Sequence, residues 1–83
     1  MDPKRLIHMA NQIGEFFEAD PERAAAMQGI ADHIKRFWDP RMRTGLLQWV
    51  DDHDGEGLRP LVLEAIRTQR ALLAPKATQP PVT

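Results

Sequence analysis

Asp-Pro occurs three times, at Asp2-Pro3, Asp20-Pro21 and Asp39-Pro40, and no other feature constrains the chain as much. The aspartate carboxylate can accept from the free amides of a helix start. Proline at the first helical position lacks an N–H that would be orphaned there anyway. The proline ring also pushes its predecessor out of the helical region, so each pair ends what came before it. Three helix starts follow. Arg59-Pro60 marks a fourth on the proline alone, because arginine is a poor cap.

The residues after each start repeat with a helical period. At about 100° per residue, Leu6, Met9, Ala10, Ile13, Phe16 and Phe17 share an arc of roughly 120°, predicting a helix over 3–18. Met27, Ile30, Ala31, Ile34, Phe37 and Trp38 do the same over 21–38. Met42, Leu46, Trp49 and Val50, with Leu47 on the flank, define 40–50, and Leu61, Val62, Ala65, Leu72 and Leu73 define 60–73. No window alternates as a half-buried strand does. The chain therefore reads as all-α: one domain, 1–74, of four short amphipathic helices, followed by a proline- and threonine-rich tail, 75–83, expected to be disordered. The aromatic residues fall between Phe16 and Trp49, so the first three helices are expected to hold the centre of the core. Four residues fit poorly, one of them Ile7 at the edge of the first arc. Arg43 and Gln69 lie inside apolar arcs, and Leu63 lies opposite one.

Eighty-three residues make a small domain, whose stability is marginal without help. Cysteine, serine and tyrosine are absent, which removes disulfides, thiolate metal sites, iron–sulfur ligation and the corresponding nucleophiles. Net charge is −1, which argues against bulk affinity for nucleic acid or an anionic membrane. No apolar run approaches the ~18 residues of a membrane span. The start, Met1-Asp2-Pro3-Lys4-Arg5, lacks the apolar stretch of a signal peptide, so a cytoplasmic location is expected. The composition argues against an enzyme.

Two motifs bear on chemistry. Asp52, Asp54, Glu56 and Gly57 match positions one, three, five and six of a calcium loop, but position twelve is Leu63 where a bidentate glutamate is needed. The segment 51–57 therefore reads as a solvated connector. His8, His33 and His53 have no metal-ligand spacing, and His33, bordering an apolar arc, reads as an interface or capping histidine. The densest stretch is Lys35-Arg36-Phe37-Trp38-Asp39-Pro40-Arg41-Met42-Arg43. Arginine and tryptophan are enriched at binding hot spots, which makes Lys35, Arg36, Trp38, Arg41 and Arg43 candidate partner-binding residues, together with Leu63. Phe37 is expected in the core. A helix–turn–helix nucleic-acid binder and a self-associating helical adaptor remain open alternatives.

Phe37-Trp38-Asp39-Pro40-Arg41-Met42-Arg43, preceded by Met9-Ala10-Asn11-Gln12-Ile13 and Phe16-Phe17, resembles the delta subunit of soluble, cytoplasmic NAD-dependent formate dehydrogenases. The resemblance runs over about 3–73 and includes His33, Leu58 and Pro60. Departures are the acidic loop 51–57 and the arginine before Pro60. The resemblance implies a helical, non-catalytic accessory subunit supporting assembly, cofactor maturation or stability. Its implied partners are a large alpha subunit holding bis-molybdopterin guanine dinucleotide with molybdenum or tungsten, and beta and gamma subunits; across these three lie the iron–sulfur clusters and FMN. Formate oxidation to CO2 coupled to NAD+ reduction would belong to those subunits. No cofactor and no catalytic residue is implied for this chain.

Overall fold

A computed structural model describes residues 2–75. It contains α1 (Pro3–Phe17), α2 (Arg23–Phe37), α3 (Pro40–His53), α4 (Pro60–Thr68) and α5 (Arg70–Leu73), with no strand among the described residues. The expectation of a disordered tail falls, from residue 76 onward, outside the described residues. None of the described helices is long and apolar enough to cross a membrane.

Two of the Asp-Pro pairs act as read. Asp2 Oδ1 accepts from the Lys4 amide at 3.0 Å, and Asp39 Oδ1 from the Met42 amide at 2.9 Å. The third pair differs. Asp20 Oδ1 accepts from the Glu22 amide at 2.9 Å, closing a local turn instead. As a result α2 starts two residues late, at Arg23, and has no side-chain cap. The third helix outlasts its predicted end at 50, because Asp51, Asp52 and His53 continue it until Asp54 turns left-handed with φ 55°. Aspartate tolerates that conformation better than most residues. The predicted last helix breaks at Gln69, giving five helices rather than four.

Phe17 of α1 lies against Gly29 of α2, and His33 lies beside Gln12 and Ile13, so α1 and α2 form an antiparallel hairpin. Arg23 pairs with Glu64, and Gln69 donates to Gln28 at 3.2 Å, so α4 and α5 run alongside α2 in the same direction. Across the hairpin, Leu6 meets α3 at Gly45. The expectation that the first three helices hold the centre needs correction. Of the six largest fully buried side chains, Val62, Ile66 and Leu73 come from α4 and α5. The interior is aliphatic, and Trp38 is the aromatic side chain buried in it.

Candidate docking surface

Phe16 is 76% exposed and Phe37 70% exposed, although helical periodicity puts both in apolar arcs. Gly14 explains the first. It is buried, and a Cβ there would collide with Val62, so α1 rests on α4 through its smallest residue. At about 100° per residue this centres the buried arc on Leu6, Ala10 and Gly14, about 120° from Phe16. Phe37 has nearly the same azimuth as the buried Ala26 and Ile30, but it is the last residue of α2, where the core no longer covers it.

These two rings end one continuous stripe. The Phe16 and Phe17 centroids are 5.1 Å apart and edge-on. Ile13 and Phe17 are half-buried, and with Gln12, Phe16 and His33 they line a groove along the α1–α2 seam. The His33 ring then sits 4.7 Å from that of Phe37. Burying one phenylalanine contributes about 1.5–3 kcal/mol, so two left in water on a small domain mark a surface with binding energy in reserve.

The six residues singled out from sequence divide. Arg36 and Arg41 are exposed and Lys35 half-buried, at the α2–α3 corner beside Phe37. Trp38 is 5% exposed and Arg43 8%, so both stand behind the surface of the free chain. The Arg43 Nε and Nη1 atoms are enclosed without a hydrogen-bond partner. Such a donor costs about 1–3 kcal/mol, and more when charged. Leu63, half-buried on α4, packs over Gly55, whose φ of 70° and lack of a Cβ leave room for it. The stripe itself, through Phe16, was missed. The signal that could have found it is Gly14, a small residue inside a helix where close approach is its use.

Elsewhere Arg23, Arg59, Arg67 and Arg70 are paired with carboxylates of the chain. Arg59 donates to Glu18 through Nε at 2.6 Å and Nη2 at 2.8 Å, and Glu15 lies 3.6 Å away. The hydrogen bond from Arg59 holds the Glu18 carboxyl below its ordinary range and pushes Arg59 up. In the acidic loop, Arg70 takes Asp51 at 2.9 and 2.7 Å, Arg67 lies 4.0 Å from Asp54, and Trp49 Nε1 donates to the Glu56 carbonyl at 2.7 Å. No three His, Asp or Glu side chains converge among the described residues.

The family model for the NADH-dependent formate dehydrogenase delta subunit FdsD matches residues 5–66. The chain belongs to this family. No curated protein and no solved structure matches it. The matched span takes in the whole stripe and the α2–α3 corner of this delta-subunit family member, while α5 lies beyond it.

Proposed function

We propose that the chain is a non-catalytic accessory subunit that docks on the large catalytic subunit of formate dehydrogenase through the Phe16–His33–Phe37 stripe. It supports assembly, cofactor maturation or stability of the active enzyme in the cytoplasm. The single observation that carries this reading is the exposed aromatic stripe on a member of a delta-subunit family. Lys35 and Arg36 share the last turn of α2 with Phe37 and Arg41 opens α3, while Trp38 and Arg43 are buried. Leu63 keeps its contact with the loop.

Molybdopterin and iron–sulfur chemistry fits the partner subunits better than this chain. Without cysteine it has no thiolate to ligate a cluster, and the Glu18 and Asp51 carboxylates are engaged by arginines. Its contribution is contact area.

The Phe16→Ser/Phe37→Ser double variant tests the reading. Both rings are exposed, so the free domain is expected to keep its circular dichroism and its Tm within a few degrees. Losing at least about 3 kcal/mol of burial on docking corresponds to about 100-fold weaker binding to formate dehydrogenase assembled without this chain. Undiminished binding of the double variant would move the interface elsewhere.

A further inference from the structure

The basic side chains are sorted by position. Arg23, Arg59, Arg67 and Arg70 all pair with carboxylates of the chain. Lys4, Arg5, Lys35, Arg36, Arg41 and Arg43 form no salt bridge among the described residues. The latter occupy the first turn of α1, the last turn of α2 and the opening turns of α3. Those three ends meet. Asp2, Arg5 and Met9 of the α1 end share a groove with Met42 of α3, and only Trp38 and Asp39 separate α2 from α3. The acids at this pole, Asp2 and Asp39, are committed to the Lys4 and Met42 amides. The N-termini of α1 and α3 add positive potential, offset in part by the C-terminus of α2.

Arg43 is the recessed member of this pole. It shares its face of α3 with the buried Leu46, Leu47 and Val50, where an apolar side chain of similar length would be at home. Instead the position holds a guanidinium with Nε and Nη1 enclosed and unpartnered. We propose that Arg43 is a receptor for one carboxylate side chain presented by the partner subunit, at a basic pole continuous with the docking stripe. The proposal rests on the docking reading above. Either fork of the guanidinium includes the enclosed Nε or Nη1, so docking would turn the side chain outward. There its planar fork matches a carboxylate in two parallel hydrogen bonds that strengthen as water is excluded. A single recessed guanidinium fits one acidic side chain better than a row of phosphates.

Arg43→Met separates the possibilities. In the free chain it removes an unpartnered charge, so Tm is expected to rise by about 5 °C or more. Toward formate dehydrogenase assembled without this chain, its affinity is expected to fall at least ~10-fold, with a shallower salt dependence. A lower Tm would show that the guanidinium is satisfied internally and would overturn the proposal. A higher Tm with undiminished binding would overturn it too, yet leave docking standing if the Phe16→Ser/Phe37→Ser variant still fails to bind. Failure of the wild-type chain to bind at all would overturn both readings. Sub-micromolar, steeply salt-dependent binding of the wild type to a 20-base-pair DNA duplex, lost in Arg43→Met, would reassign the receptor to phosphate.

Discussion

Trp38 closes the corner between α2 and α3. Its backbone leaves the helix with φ −94° and ψ 136°, while its ring stays in the core beside an Asp39–Pro40 start that fixes where α3 begins. Replacing the ring by alanine creates a cavity at the junction of two helices. The expected cost is about 3–5 kcal/mol, a large share of the total stability of a small domain. Urea unfolding of Trp38→Ala measures it, and a loss below about 1 kcal/mol would mean that the corner is held by other contacts. Periodicity read this residue correctly and its neighbour Phe37 incorrectly, for one reason. Azimuth on a helix is written in the sequence, but how far along its axis the core extends is set by partners. Gly14 carries the same lesson, because its closeness to Val62 depends on a helix nearly fifty residues away.

At the scale of elements, the start of α4 shows how a weak local signal is completed from a distance. Arg59 offers no side-chain cap. Asn11 of α1 supplies one across the fold, its Oδ1 accepting from the Arg59 amide and its Nδ2 donating to the Gly57 carbonyl, both at 2.9 Å. The Arg59 guanidinium in turn grips Glu18. None of this was legible in the sequence, where Asn11 and Glu18 simply fall outside the apolar arc of α1. The clamp carries a pH signature. Because the folded state lowers the Glu18 pKa, its stabilisation is fully present above the ordinary glutamate range. It is lost as pH falls through that range toward the lowered folded value. Tm followed from neutral to acidic pH is therefore expected to drop less steeply in Glu18→Gln than in the wild type. Superimposable profiles would mean that the pair adds nothing to folding.

Over the whole molecule, near-neutrality conceals a division of labour. The Arg59–Glu18 and Arg70–Asp51 pairs satisfy their own charges, whereas the α2–α3 corner and the α1–α2 seam leave cations and phenylalanines unmatched. Fold class, the starts of α1, α3 and α4 and most of the aliphatic interior were readable from caps and periodicity, whereas the break at Gln69 that makes a fifth helix was not. Which face remained for a partner was not, since it is what remains after long-range packing. Hydroxyl-radical footprinting of the full-length chain, free and within the assembled formate dehydrogenase, tests this division most directly. Modification of Phe16 and Phe37 is expected to fall several-fold on assembly, while the half-buried Trp49 near the acidic loop keeps the rate it has in the free chain. Unchanged labelling of both phenylalanines in the complex, with protection at Trp49 instead, would contradict docking through the stripe.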